Sequence, residues 1–411
     1  MSIQTILSDL DATRDAREAL YKHFHRHPEL SLQEYATADR IEAELKASGI
    51  EDVVRIGKTG LVATLRNGDG PVVAMRGDID ALPMAERSGK DYAAEGVTQV
   101  DEATGQETPV AHSCGHDVHI MSLLGATQAL HAHRGDWSGT FLAVFQPGEE
   151  NAAGAKAMVA DGIVDKLPKP DVYLGQHVLG SLPGGAVGIR SGPMLSAAAS
   201  IEITLYGKGS HGSMPNLGVD PIVLGAAIVT RLQGIVAREV APRETAVITV
   251  GSFHAGSKSN IIPDSAVLEL NTRAFDKDVE KHLHEAIERI VRAECDASRS
   301  PKAPEFRYYD QYPLTNNHEA PTVRVRAAFD DYFGEDSIEM APVPASEDFS
   351  VIPDAFDCPY TYWGLGGFAD WKNAPGNHSP FFAPDIQPTL DRGIEAIVVA
   401  VSPWLIDKDQ A

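Results

Sequence analysis

TFLAVFQPGEE, residues 140–150, is a strongly apolar run that stops at Pro147-Gly148 and ends on two adjacent carboxylates, Glu149 and Glu150. A short apolar run without polar alternation reads as a strand buried on both faces, inside a sheet that carries helices on each side. Similar runs recur around it. Residues 53–56, 61–65, 72–75 and 172–176 read as further strands, with helices at 120–132 and 152–160. This alternation indicates an α/β fold with a mixed sheet covered by helices, whose ligands gather in loops beyond the strand ends.

Working outward, Leu7, Leu10, Ala16 and Leu20 recur at helical spacing before the polar turn at 25–29. A second helix should follow, opened by Ser31 and Glu34 at capping-box spacing and stopped by Gly49. Downstream, the pattern changes near Pro193. Strands at 200–206, 245–253, 266–272 and 305–309 and helices at 221–240 and 279–295 follow in the order βαββαβ. That order defines a ferredoxin-like unit, residues 194–312, inserted between the two parts of an α/β domain, 1–193 and 313–411.

The 411 residues carry 58 acidic and 35 basic side chains, a formal net charge of −23. Such a balance argues against nucleic acid or an anionic membrane as partner, since both require basic surface. The N-terminal stretch has no apolar signal core, and no later run reaches the length of a membrane span, so a cytoplasmic protein is expected. Three unevenly spaced cysteines, Cys114, Cys295 and Cys358, make a disulfide framework improbable and leave a thiol free to act as a ligand or nucleophile.

The densest donor cluster is HSCGHDVH, residues 112–119, expected in a loop just before a helix. Thiolate and imidazole suit zinc or a similar transition metal, and Gly115 permits a tight turn between the donors. The spacing is not that of a zinc finger, and a His-rich surface loop would show the same composition. Glu149 and Glu150 can divide two tasks, one binding metal and the other taking a proton from an activated water; a solvated turn is the plainer reading. His177 is expected at the end of a buried strand, where histidines are often satisfied core residues, and His378 lies in a Gly/Pro-rich loop. Asp78 and Asp80 follow the third strand and could orient ligands or pair with Arg76. Ser346-Glu347-Asp348 reads as a helix N-cap with acidic first-turn residues and is assigned no chemistry. The metal-type donors and these carboxylates all fall at strand ends or in loops of the same α/β domain, so separate weak signals converge on one rim.

Taken in order, HRHPELSLQE, RGDIDALPM, HSCGHDVH, FQPGEE, GQHV, GSHGSMP, SNIIPD, SEDFS and GNHSP run from residue 25 to residue 380. As a set they resemble the zinc-dependent aminoacylases, which include hippurate hydrolases and indoleacetyl-amino-acid hydrolases, within the clan of co-catalytic metallopeptidases. The resemblance implies two divalent metal ions, zinc with manganese or cobalt as alternatives, held by Cys114, His116, Glu150, His177 and His378. It implies Glu149 as general base, Asp80 as the carboxylate orienting the site, and His211 as donor to the amide oxygen in the transition state. Asn260 and Arg273 match positions that bind the free carboxylate of the amino-acid half, for which an Arg fork is well suited. More distant relatives carry His-x-Asp where this chain has Asp78 and Asp80. The implied activity is hydrolysis of the amide bond of N-acyl amino acids, with N-acyl-glutamine among the candidates and nothing in the motifs selecting it. The alternatives are a metallocarboxypeptidase or dipeptidase on the same scaffold, an inactive binding protein, and a structural zinc protein. The inserted unit is expected to act as a lid with hinges near Pro193 and Tyr312 and to form a homodimer.

Overall fold

The computed structural model describes residues 2–406, which form two compact units. The larger comprises the chain up to Met194, Asn316–Ala341 and the chain from Asp348 on. Its strands are β1 (Val53–Ile56), β2 (Gly60–Asn67), β3 (Val72–Asp78), β4 (Gly139–Gln146), β5 (Val172–Pro183), β6 (Val187–Ile189), β7 (Ser337–Glu339) and β8 (Tyr360–Phe368). They form one mixed sheet in the order β1-β2-β4-β3-β5-β8-β6-β7. The four central strands, β4, β3, β5 and β8, are mutually parallel. Their near-continuous Val, Ala, Leu and Phe content follows from burial on both faces. Helices α1 (Leu10–Arg26), α2 (Tyr35–Ala47), α3 (His116–Ala132), α4 (Gly154–Ala160), α5 (Glu319–Phe333) and α6 (Ile386–Leu405) accompany the sheet. Helix α3 is buried almost all round; it packs on α6, α1 and β3, and its residues Val118, Ile120, Met121 and Leu124 lie in the main core.

Parallel register places the functional ends of these strands at one level. Asp78 of β3 lies opposite Gln146 of β4, and Arg76 lies opposite Gly175 of β5, two positions before His177. The loops beyond β3 and β4 therefore leave the sheet side by side, along a shared C-terminal rim.

Three local expectations are corrected. The capping box at Ser31 does not form: α2 begins at Tyr35, Ser31 Oγ donates to Asp80 at 2.6 Å, and Glu34 is turned inward. Glu29 does the capping instead, accepting from the amides of Ala36 at 3.1 Å and Thr37 at 2.7 Å. Helix α3 starts at His116, so the donors at 116–119 sit in its first turn and not in a preceding loop. Strand β5 runs on to Pro183, so His177 lies within a strand and not at its end.

The smaller unit comprises Leu195–Thr315 with Pro342–Glu347. The latter segment, assigned above to the α/β domain, is held here by a bridge from Leu195 to Val343 and by Arg273. Four antiparallel strands lie in the order Ala246–Ala255, Ser265–Ala274, Ala197–Tyr206, Glu305–Tyr312, with helices Pro221–Arg238 and Lys277–Ala297 packed against the sheet. Alternating burial along the strands presents Ile201, Ile203, Leu268 and Leu270 to Leu224, Ile228, Leu283 and Ile287 of the helices. Pro221–Arg238 is long and apolar enough to cross a membrane by length and composition, but Leu224, Ile228, Leu232 and Ile235 belong to this core.

Candidate metal centre

At the rim of the larger unit, residues from four separate segments converge. Cys114 and His116 stand at the start of α3, Glu150 follows β4, His177 is on β5, and His378 lies in the loop after β8. Cys114 Sγ lies 3.5 Å from His177 Nε2, and Glu150 reaches both His378 Nε2 at 3.2 Å and His116 Nε2 at 3.7 Å. One donor atom each from Cys114, His116 and Glu150 lies within 4.8 Å of the others, and so do those of Asp78, His116, His119 and His177. The five residues implied as ligands are thus gathered around one space.

The imidazoles of His116 and His177 are each oriented by their second nitrogen. His116 Nδ1 contacts the Asp80 carbonyl oxygen at 3.0 Å and Asp80 Oδ1 at 3.1 Å, which turns Nε2 inward. His177 Nδ1 donates to the Val178 carbonyl at 2.8 Å, so its Nε2 keeps a lone pair. Carboxylate or carbonyl support of this kind fixes tautomer and ring angle in metal sites. Asp80 itself is buried and accepts from Ser31 Oγ and from the Glu150 amide at 3.0 Å, binding helix start, β3 loop and β4 loop together. His119 is different. Its Nδ1 meets Asp78 and its Nε2 accepts from the Val178 amide at 2.9 Å, so both nitrogens are engaged and it supports the site without facing it.

Charge is balanced tightly here. Burial pushes His177 well below the ordinary imidazole range, aided by the neighbouring His119, which keeps it neutral as a ligand must be. Burial opposes charge on His116 too, yet Asp78, Asp80 and Cys114 outweigh it and hold the ring well above its usual value. Cys114 and Glu150 raise His378 to about 10. His116 Nε2 and Glu150 Oε1 are buried with no hydrogen-bond partner among the described residues. Inward-facing nitrogens, a thiol and a carboxylate with unsatisfied lone pairs suit divalent cations, whose binding would displace the protons these groups share. The donor set therefore fits the implied pair of metal ions. Glu149 is buried beside Glu150, with a carboxylate oxygen within 4.8 Å of one from Asp78.

The other implied residues lie in the smaller unit. His211 pairs with Ile261 on a short ladder, and just beyond it the Gly212 amide donates to the carbonyl of Asn260 at 2.8 Å. The Ser213 amide donates to His211 Nδ1 at 3.1 Å, so the neutral ring carries its proton on Nε2. Arg273 stands elsewhere, on the strand Ser265–Ala274, where Nη1 donates to the Pro344 carbonyl at 2.7 Å and Ser346 Oγ at 3.0 Å.

Asp348 corrects the reading of its stretch. The helix there begins at Val351 with Ser350 as N-cap, and the Asp348 carboxylate points inward. It accepts from Arg76 Nη2 at 3.2 Å, Gln146 Nε2 at 2.6 Å and the Ala155 amide at 3.0 Å. Arg76 in turn binds Asp78 at 2.6 Å and Gln146 at 3.0 Å, so this buried network braces both ends of the turn that bears Glu149. Contacts at such sequence distances leave no local pattern by which they could be found.

Residues 74–402 match the model of peptidase family M20/M25/M40. The chain belongs to that family. Among its relatives is an N-acetyl-L-cysteine deacetylase of Bacillus subtilis (strain 168), 33% identical over 89% of this chain and 82% of that protein. A hippurate hydrolase of Campylobacter jejuni is 33% identical over 84% of this chain and 87% of its own length. Among solved structures, the YXEP protein of Bacillus subtilis, described as a dinuclear metal binding peptidase from the M20 family, superposes with a TM-score of 0.78 at 27% identity, covering 95% of this chain and 98% of that one. The M20 chain is thus an α/β protein of a hydrolase family, and its clustered donors stand where a pair of divalent ions is expected.

Proposed function

We propose that this chain hydrolyses the amide bond of N-acyl amino acids, releasing a carboxylic acid and a free amino acid. The observation that carries the reading is the convergence of Cys114, His116, His177, His378 and Glu150 with Glu149 buried beside them. The named relatives that act on N-acyl amino acids support it. Zinc is the proposed metal, since a thiolate and three imidazoles outweigh the single carboxylate among the donors. When bound, the ions polarise the amide carbonyl and acidify the attacking water.

The chain's own residues do the rest. Glu149 takes a proton from the water as its oxygen bonds to the carbonyl carbon, then returns it to the nitrogen as the C–N bond breaks. His211 donates Nε2–H to the oxygen that becomes negative, and the Ser213 amide on Nδ1 supports that tautomer. Asn260 and Arg273 are proposed to bind the substrate carboxylate. The test is release of free amino acid from N-acetyl and N-benzoyl amino acids beside a dipeptide series, with zinc-loaded protein. Turnover of the acyl series is expected. Cleavage of dipeptides alone would move the assignment to a peptidase, and no turnover of either would overturn it.

We also propose a homodimer through the smaller unit. Strand Ala246–Ala255 is an open edge of its sheet, and exposed Val247 and Phe253 lie on it, while Ile222 and Val223 are exposed on the helix Pro221–Arg238. An edge with apolar exposure of this kind favours pairing. Light scattering should give a dimer mass for the native protein and a monomer mass for the Val223→Asp, Phe253→Asp double variant; a native monomer at micromolar concentration would refute it.

A further inference from the structure

His25 opens one of the motifs above but has no part in the chemistry, and it lies before the stretch that matches the family model. Its side chain is 1% exposed and closed between two carboxylates. Nδ1 meets Asp117 Oδ2 at 2.6 Å and Nε2 meets Glu86 Oε1 at 3.0 Å. The ring of Tyr92 packs edge-on at 5.0 Å and that of Tyr21 lies at 5.8 Å, which fixes the imidazole plane. Burial opposes its charge, but Asp117 and Glu86 raise it to about 9, so it stands as a cation between two anions.

Both carboxylates lead to metal donors. Asp117 is the neighbour of His116 in the first turn of α3. Glu86 gathers its own loop by accepting from the Ala94 amide at 2.6 Å, and the next residue, Arg87, donates its amide to the Pro380 carbonyl at 2.6 Å. Pro380 belongs to the loop of His378, whose amide donates to the Ser113 carbonyl at 2.8 Å. The contacts close a ring: His25, Asp117, the 113–116 turn, His378, Pro380, Arg87, Glu86 and back to His25. His378 is held by this ring together with Asn377, whose Nδ2 donates to the Cys114 carbonyl at 3.1 Å and the Val178 carbonyl at 3.0 Å. It is the donor held least by packing, with a side chain 57% exposed and a backbone φ of 66°.

We infer that His25 is a positioning residue for the metal centre, holding the loop of His378 against the turn of Cys114 and His116. This rests on the metal-binding reading above. Loss of the clamp should loosen the His378 loop and weaken the one ion that His378 helps to hold, by about 10–100-fold, the range seen when ligand supports are removed. The ion held mainly by the other donors should stay.

The experiment is competitive titration of metal-free protein with zinc against a chromophoric chelator, for the native chain, His25→Gln, Glu86→Gln and the double variant. Circular dichroism first establishes which are folded; Glu86→Gln serves if His25→Gln does not fold. Leu45→Ala, a core truncation in α2, controls for general destabilisation. The expected result is two tight ions in the native protein and in Leu45→Ala, and one tight and one weakened ion in the clamp variants. The double variant should be no worse than either single one, because both break the same ring. Clamp variants that bind both ions as the native chain does would overturn the inference, as would an equal loss in Leu45→Ala. A native protein that binds no zinc would instead overturn the metal-binding reading itself.

Discussion

Asp80 shows how one carboxylate can matter without touching a substrate. One oxygen faces His116 Nδ1 while the other accepts from Ser31 and from the Glu150 amide, so it orients two implied ligands at once. Asp80→Asn should lower metal affinity about 10–100-fold while leaving the fold intact, measured by chelator competition and circular dichroism. Glu149→Gln keeps the shape but not the basicity. Turnover should fall by about 10²–10⁴, with zinc content unchanged in metal analysis. A variant with native activity would show that another group takes the proton. His25 predicts a pH effect on stability. It is raised to about 9 when folded, by Asp117 and Glu86 against burial, so its contribution is complete below the unfolded value near 6.5 and is lost as pH rises towards 9. The two carboxylates are lowered, despite burial, chiefly by His25, and their contribution disappears in the opposite direction, as pH falls through the carboxylate range. Thermal denaturation of metal-free protein should therefore show Tm falling between pH 6.5 and 9, and a flatter profile in His25→Gln.

Among the elements, the turn after β4 is the most exacting. It must place Glu149 and Glu150 side by side, and it folds back so closely that a Cβ on Gly154 would lie 1.5 Å from the Pro147 carbonyl oxygen. No flexible side chain can yield there, since the obstacle is backbone. Gly154→Ala should displace the turn and cost at least about tenfold in kcat through misplacement of the base, with a lower Tm. The start of α3 has a similar requirement. Gly115 has φ of 87°, and a Cβ there would meet Val178 Cγ1 at 2.4 Å, on the strand that bears His177. Such elements were legible as types from the apolar runs and the Gly/Pro stops. Their edges were not, because α3 begins with donors whose burial depends on β3 and β5, and α2 is capped by Glu29 from a preceding turn in place of Ser31.

On the scale of the molecule there are two separate cores: an α/β core under the candidate metal centre and a smaller core of Ile and Leu beneath the sheet of the second unit. Metal should stabilise the first directly. Adding zinc to metal-free protein at a thousandfold excess over its dissociation constant should contribute about 4 kcal/mol per site, seen in calorimetry as a rise in Tm that a chelator reverses. Local periodicity and residue type in the sequence determined the succession of strands and helices, the βαββαβ order, the donor-rich 112–119 stretch and the pair Glu149-Glu150, while the full ligand set came from the family resemblance. Only the tertiary structure decided that Asp348 braces Arg76 and Gln146, that Pro342–Glu347 joins the smaller unit, and that His25 ties Asp117 to Glu86. The reason is physical: a carboxylate or imidazole is defined by whatever the fold brings within hydrogen-bond reach, and between His25 and Asp117 that meeting spans 92 positions of chain.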